Sequence, residues 1–269
     1  MTADTHPTAL PLAGGRASGP GRPSRPLRNL TLAEAKLARR EPSALIFGVG
    51  LPVVLLAIFG SIPSLNQPQA ALGGATVEAV YQPIVIAMSL AVFALVAVPI
   101  PLAGYREQGV FRRMATTPVP PSRVLAAHLL VDFTFALTSL LLVLAVGRAW
   151  FHTALPHQVP GFVLSYLLAV ACLFAIGLWI GAIARTAKVG QALGGALFYP
   201  MNFLGGLWFP RQEMPPVLRT ISDFSPLGAA VQALQDTING AFPPARFLLV
   251  LAGYAALFGY LAVRQFAWE

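Results

Sequence analysis

Six long apolar stretches constrain this chain more than any other feature of its sequence. They cover residues 44–62, 79–104, 124–147, 161–184, 189–210 and 247–263, and together they hold a single acid, Asp132. A helix needs about 20 apolar residues to cross the hydrocarbon core of a bilayer, whereas the strands of a membrane barrel alternate in polarity over roughly 10 residues. The sequence therefore predicts an all-α polytopic membrane protein with six transmembrane helices.

The distribution of positive charge predicts the orientation of these helices. Charged residues make up only 10% of the chain, against about 25% in soluble proteins. With the N-terminus in the cytosol, 14 of the 18 lysine and arginine residues lie on the cytosolic side, and the exceptions are Arg148, Arg211, Arg219 and Arg246. Both termini are therefore predicted to be cytosolic in a multi-pass protein of the cell membrane. The net charge of +8 then reflects topology, and no nucleic-acid partner is expected.

Three regions follow one another along the chain. Residues 1–28 are rich in proline, glycine and arginine, and they predict a disordered cytosolic tail. Residues 29–42 predict an interfacial amphipathic helix, since Thr31 and Glu34 have the spacing of a capping box. Residues 43–269 form the six-span membrane domain. No apolar core of a cleavable signal peptide occurs near the start, so the first span is expected to direct insertion.

The loop between the second and third spans, "YREQGVFRRMATTPVPPSR" at residues 105–123, gathers much of the scarce charge. A helical wheel from Tyr105 to Thr116 separates an apolar face (Val110, Phe111, Met114, Ala115) from a face with Arg106, Gly109, Arg112 and Arg113. This pattern predicts a helix lying flat at the cytosolic interface, ending near Thr117 because Pro118 follows. Glu107 lies within the apolar face, so its carboxylate is expected to have a cationic or backbone partner. A basic membrane anchor is the alternative interpretation.

The same loop resembles the segment that follows the second span of type 2 ATP-binding cassette permeases. The matching residues are Glu107, Gly109, Arg112, Arg113, Thr117 and Pro118. The resemblance implies that this helix, including Val110 and Phe111, is a coupling helix that docks onto a separate ATPase subunit. We expect Val110, Phe111 and Met114 to face the membrane domain, Arg106, Arg112 and Arg113 to face that subunit, and Glu107 to pair with a nearby arginine.

A second segment, residues 203–236, resembles the external region that precedes the last span in this family. The matching residues are Gly205, Gly206, Phe209, Pro210, Pro215, Pro216, Leu218, Ser225, Pro226 and Leu227. Ser225 replaces the more usual asparagine, and serine caps helices nearly as well. We expect two short re-entrant helices between Pro215 and Thr237 that dip into the outer leaflet without crossing it, because neither apolar run reaches about 20 residues.

Together these resemblances imply the permease subunit of an ATP-driven exporter that works with a second permease, identical or paired. Neither lysine, Lys36 or Lys188, follows a glycine, so the chain has no phosphate-binding P-loop. It is therefore not expected to be an enzyme or to hold a cofactor or metal, and ATP and Mg²⁺ are expected on the partner ATPase. The apolar composition favours a hydrophobic or amphiphilic cargo such as a drug, an antibiotic or a lipid-like metabolite, and a polysaccharide or glycolipid is the alternative within the family.

The family also implies which residues line the transport path, because its second and fifth spans tend to face the dimer axis. On that basis the path residues are Met88, Phe93, Phe198, Tyr199, Asn202 and Phe203, with ordinary helix packing as the alternative. Different chemistry is possible at His128 and Asp132, which lie one turn apart in the third span. They could relay protons in a secondary carrier, or they could form a structural pair. His152 and His157 lack the neighbouring ligands of a metal site.

Overall fold

The structure, a computed structural model, describes residues 45–62, 67–69, 72, 74, 76–109 and 121–265. Within these ranges the regular elements are all helical, as the sequence predicts. The predicted tail (1–28), the predicted interfacial helix (29–42) and residues 110–120 of the predicted coupling helix lie outside the described residues. Nothing in the structure therefore tests those three predictions directly.

Nine α-helices occur in the described part of the chain. They are α1 (Leu51–Ser61), α2 (Val77–Ala91), α3 (Pro99–Glu107), α4 (Pro121–Trp150), α5 (Val159–Ile183), α6 (Ala187–Leu204), α7 (Pro216–Phe224), α8 (Pro226–Ile238) and α9 (Ala245–Gln265). A π-helical turn, Ile46–Gly50, precedes α1, and a π-helical segment, Val92–Ala97, joins α2 to α3. We refer to α2, this segment and α3 together as the central rod.

Among the described residues, four helices are long and apolar enough to cross a membrane, and they coincide with the second, third, fourth and sixth predicted spans. They are Ala79–Glu107, Arg123–Trp150, Val159–Ile183 and Ala245–Gln265. The first predicted span corresponds to a shorter apolar helix, Ile46–Ser61. The fifth corresponds to α6, whose 18 residues include Lys188, Gln191 and Asn202. Six spans therefore remain a prediction.

The fifth helix is shorter than the sequence predicts. The apolar stretch continues to Pro210, but α6 ends at Leu204. The chain leaves the helix at Gly205 and Gly206, and Gly206 has a φ of +94°, a conformation that glycine adopts without the steric cost of a side chain. Residues 205–210 consequently form a turn that leads to α7.

The helices run alternately up and down, so their ends form two groups. At one end, the indole nitrogen of Trp179 in α5 donates to the side-chain oxygen of Gln265 in α9 at 3.0 Å. At the other, the Gln82 amide of α2 donates to Thr153 Oγ1 at 3.1 Å. We call the first the basic end, because its described cations are Arg106, Arg123, Arg185, Lys188 and Arg264. The second is the mixed-charge end, with Arg148, Arg211, Arg219 and Arg246 beside Glu213, Asp223 and Asp236. The described cations of the basic end are among those that the sequence assigns to the cytosolic side, and the orientation of the two ends in the membrane stays a prediction.

The central rod lies in the middle of the bundle. Within its most apolar part 83% of residues are buried, against 17% for Ala245–Gln265 at the periphery. Helices α4, α5 and α6 surround it together with α1. A peripheral helix with exposed apolar side chains requires an apolar surrounding, as a bilayer provides. Cys172, the chain's one cysteine, is buried in α5.

Candidate functional site at the basic end

The last two residues of α3 bind the turn that joins α5 to α6. The Glu107 carboxylate accepts a hydrogen bond from the Ala187 N–H at 3.0 Å, across 80 residues of sequence. The Arg106 guanidinium donates to the Ala182 carbonyl at 2.6 Å and to the Ala184 carbonyl at 3.4 Å. We call this pair the Arg106–Glu107 clamp. It connects the rod to the helices on both sides of the turn.

The charges of the clamp match the helix ends that they contact. Ala187 is the first residue of α6, where backbone N–H groups lack helical acceptors and carry partial positive charge. The carbonyls of Ala182 and Ala184 lie at the last turn of α5, where partial negative charge accumulates. A second cap supports the same turn, since Thr186 Oγ1 accepts from the Val189 N–H at 3.3 Å. The anion and the cation of one dipeptide thus stabilise two helix termini.

This geometry corrects two expectations about the loop. Of the two kinds of partner expected for Glu107, the described contact is the backbone amide of Ala187 rather than an arginine side chain. Arg106 was expected to face a separate subunit, but its guanidinium lies against the carbonyls of α5 and is part-buried. Both residues belong to the end of α3, whereas residues 110–116 of the predicted interfacial helix lie outside the described residues.

The break after the clamp is set by Gly109. Its φ is +65°, and its N–H donates to the Arg106 carbonyl at 3.0 Å. A left-handed glycine in this position is a common helix terminator. A helix phase counted from Tyr105 therefore applies only as far as Glu107, where α3 ends. The other predicted coupling residues, Val110, Phe111, Arg112, Arg113, Thr117 and Pro118, lie outside the described residues.

The predicted path residues fall into two places. Tyr199 and Phe203 of α6 border an open groove of about 530 Å³, whose other lining residues are Pro200, Leu204 and Trp208. Phe198 lies edge-on to Tyr199 with ring centroids 5.5 Å apart, whereas Asn202 is buried. Met88 and Phe93 are 2% and 0% exposed inside the rod. The structure therefore brings together only the members on α6, and access to the other two would require helices to separate.

Two short helices occupy the region predicted to be re-entrant, and each begins at a proline. In the first turn of α8, Ser225 Oγ accepts from the Gly228 N–H at 3.0 Å and donates to the Ser222 carbonyl at 2.8 Å. Pro226 is the first helical residue, and Leu227 is buried. At the far end of α8, the His157 ring binds the Ile238 carbonyl at 2.8 Å. Helix α8 is thus fixed at both ends within the bundle.

Helix α7 carries its apolar face outward. Val217, Ile221 and Phe224 are 74%, 51% and 64% exposed, and their spacing places them on one side of the helix. The opposite side is held inward, because Ser222 Oγ donates to the Leu204 carbonyl at 2.6 Å and Asp223 accepts two bonds of 2.7 Å from Arg211. This orientation indicates that α7 faces an apolar environment. The sequence did not reveal the Arg211–Asp223 pair, whose members are 12 residues apart.

His128 and Asp132 are in contact, as the interpretation of a structural pair requires. The Nε2 atom of His128 lies 3.2 Å from Oδ2 of Asp132, and both side chains are buried. Their spacing of one helical turn on α4 brings them together without distortion. The contact satisfies a structural pair and is also compatible with a proton relay.

Comparison with known proteins agrees with the two motifs and with the helical architecture. The family model described as "ABC-2 type transporter" matches residues 26–239, which include the clamp, the α6 groove, α7 and α8. A protein of Bacillus subtilis (strain 168) named "Putative transport permease YvfS" is 23% identical over 242 residues. The alignment covers 88% of this chain and 95% of that protein.

Proposed function

This chain belongs to the ABC-2 type transporter family, and from that premise we propose that it is the permease subunit of an ATP-driven exporter in the cell membrane. The chain crosses the bilayer six times, with α1 and α6 as the two shorter spans. The basic end lies in the cytosol, as the bias of lysine and arginine favours. Helices α7 and α8 then lie in the outer leaflet, which the outward apolar face of α7 supports.

Energy enters at the loop that follows Gly109. A separate ATPase subunit binds ATP and Mg²⁺, because this chain has no P-loop, and it contacts Arg112 and Arg113. The observation that carries this proposal is the Arg106–Glu107 clamp, with contacts of 2.6 to 3.4 Å. Because the clamp joins the start of the loop to α5 and α6, a displacement of the loop is transmitted to three helices at once.

The cargo is a hydrophobic or amphiphilic molecule, and two permeases enclose its path. Tyr199 and Phe203 of α6 and Trp208 of the following turn present aromatic surface, which suits an apolar ligand with few polar groups. A second permease covers this face of α6 in the complex, so that the groove becomes part of a closed path. Drugs, antibiotics and lipid-like metabolites are the cargo classes that this surface fits best.

The proposal is tested with permease and ATPase purified together and placed in liposomes. An Arg112→Ala/Arg113→Ala double variant should insert normally but lose the ATPase subunit or ATP-driven export. Arg123→Ala is the matched control, since Arg123 is an exposed cation at the other end of the same loop and should export normally. Normal ATP-driven export by the double variant would contradict docking at this loop.

Glu107 is tested separately, because its role is to hold the turn. Glu107→Ala removes the acceptor of the Ala187 N–H, at a cost of about 1 kcal/mol for a partly exposed helix cap. ATP hydrolysis should persist while export falls. Glu107→Gln retains an oxygen acceptor and should export more than Glu107→Ala; equal export by both variants would rule out this role.

A proton-coupled carrier is the second candidate, favoured by the buried contact of 3.2 Å between His128 and Asp132. It predicts transport by the permease alone, driven by a pH gradient and abolished by Asp132→Asn. An exporter requires the ATPase and ATP. The same liposomes, with and without the ATPase, therefore separate the two functions.

A further inference from the structure

The π-helical segment of the central rod leaves one buried carbonyl without a helical donor. The Val98 N–H donates to the Phe93 carbonyl at 3.1 Å, five residues back, instead of to Ala94. The next candidate donor, Pro99, has no N–H. Ala94 is 0% exposed, so its carbonyl has neither a backbone donor from the rod nor access to solvent.

Pro99 has a similar effect on Leu95, because an α-helical bond to the Leu95 carbonyl would come from the N–H of residue 99. Both carbonyls lie against glycines of neighbouring helices. A Cβ atom on Gly177 of α5 would overlap the Ala94 oxygen, and a Cβ atom on Gly194 of α6 would overlap the Leu95 oxygen. Only glycine permits such an approach, with Cα–H groups as weak donors.

The third neighbour of the π-helical segment is the turn before α1. The Phe93 ring lies where a Cβ atom on Gly48 would be, and Ser89 Oγ donates to the Gly48 carbonyl at 2.6 Å. Around the middle of the rod, the contacts with α5 and α6 are therefore backbone-to-glycine contacts of low directionality. The end of α3, in contrast, is fixed to α5 and α6 by the hydrogen bonds of the clamp.

We propose that Val92–Ala97 is a hinge set by Pro99, at which α3 turns relative to α2 while the clamp carries the α5–α6 turn along with it. The two states differ in whether the Val98 N–H donates to Phe93 or to Ala94, so a backbone hydrogen bond is exchanged rather than lost. A π-helical turn contains one residue more than an α-helical turn. A full change from one register to the other therefore rotates the following helix by about 100°, the angle of one residue. Segments of this kind are often found at functional sites.

This inference rests on the proposed function in one respect: it names the element of the permease that converts movement of the cytosolic loop into movement of the spans. Pro99 is a positioning residue in this scheme. It has no N–H, so neither hydrogen-bonding register is complete and the two states stay close in free energy, and it does this without contacting the cargo. Replacing it by alanine adds an N–H that favours one hydrogen-bonding register over the other.

The test compares Pro99→Ala with Pro83→Ala, a proline inside α2 on the far side of the hinge. Spin labels at Gln108 and Arg123 report the position of α3 relative to α4, and labels at Gln108 and Lys188 report the clamp. All three sites are exposed, and Cys172→Ser provides the labelling background.

In nanodiscs containing the permease alone, the 108–123 distance distribution should be broad in the wild type and in Pro83→Ala, and should narrow in Pro99→Ala. The 108–188 distribution should be narrow in all three proteins.

Export with the ATPase present is the second measurement. Pro99→Ala should retain the ATPase and hydrolyse ATP, but export should fall by roughly tenfold, as a bias of one backbone hydrogen bond between two states would give. Pro99→Ser supplies the same N–H and replaces Pro99→Ala if the latter does not elute as a single species.

Identical 108–123 distributions in wild type and Pro99→Ala would overturn the hinge, as would a broad 108–188 distribution. Absence of ATP-driven export by the wild type would instead overturn the proposed function. The hinge would still be tested by the 108–123 distances, because these are measured in the permease alone.

Discussion

The ion pair and the cap around α7 and α8, at the mixed-charge end, join residues close to one another in sequence, whereas at the basic end one dipeptide binds a turn far along the chain. Arg211 and Asp223 are 12 residues apart, and Ser225 and Gly228 only three. Arg106 and Ala182 are separated by 76 residues, and Glu107 and Ala187 by 80. The first arrangement stabilises a local cap, and the second connects separate helices.

The difference in burial strengthens this contrast. Ser225 is 7% exposed, and Arg211 and Asp223 are part-buried, so the contacts of the mixed-charge end are shielded from competing water. At the basic end the contact of Arg106 with Ala182 is part-buried, and that of Glu107 with Ala187 is exposed. Buried polar contacts stabilise strongly when they are complete and are costly to break. We therefore expect the mixed-charge end to dominate stability and the basic end to dominate coupling between helices.

Removal of the ion pair should give the largest loss of stability. Arg211→Ala leaves the Asp223 carboxylate, 16% exposed, without its two charge-assisted bonds. We expect a loss of about 2–3 kcal/mol, seen as a lower Tm of the permease in detergent. The Arg211→Ala/Asp223→Ala double variant should be more stable than the single one, since no charge is left unpaired. A double variant that is less stable than Arg211→Ala would contradict this account.

The long helices could be predicted from sequence because transmembrane segments are defined locally. An apolar run of about 20 residues has few alternatives in a bilayer, and the bounds of α5 and α9 lie within two residues of the predicted ones. The end of α6 could not be found this way, because apolar residues continue past Gly206 while the backbone turns there. Composition describes what a segment prefers as its environment, but it does not describe the path of its backbone.

The clamp and the hinge lay largely beyond sequence reasoning for a different physical reason. Glu107 was conspicuous as an acid among apolar neighbours, but its partner is a backbone amide 80 residues away, and every residue has such an amide. Pro99 indicated that a helical donor was missing. It did not indicate that the freed carbonyls would lie against Gly177 and Gly194, because that depends on how three helices pack.

The N-caps at the two ends allow a direct comparison. At the mixed-charge end, Ser225→Ala removes the acceptor of the Gly228 N–H in a buried site, and we expect a loss of about 1–2 kcal/mol. Ser225→Asn should retain most of the stability, because asparagine also caps helices. Thermal unfolding of the permease alone measures both variants. Equal losses in Ser225→Ala and Ser225→Asn would show that the hydroxyl matters for packing and not as a cap.

At the basic end, Thr186→Ala should cost less, about 0.5 kcal/mol. Its bond to the Val189 N–H is exposed and longer, at 3.3 Å, and Glu107 still accepts from Ala187. The Glu107→Ala/Thr186→Ala double variant should lose more stability than the two single losses added together, because the α6 terminus then has neither acceptor. If Thr186→Ala destabilises the protein more than Ser225→Ala, the proposed contrast between the two ends is wrong.

The smallest effect is expected from the titration of Asp236, at the mixed-charge end of α8. Burial raises the pKa of its carboxyl above the ordinary value of 3.8, and Asp223 adds to the increase while Arg246 and Arg211 oppose it. With a raised folded-state pKa, the group's contribution to stability is complete below the unfolded pKa and is lost as pH rises through the folded pKa.

Asp236→Asn cannot ionise, so its Tm should exceed that of the wild type at neutral pH, and the difference should shrink as the pH falls toward 3.8. Unfolding curves of both proteins across this range measure the difference directly, because other titrating groups are common to the two. A difference that grows on acidification would mean that Arg246 and Arg211 outweigh burial, and that this end is held by ion pairs even more than the contrast assumes.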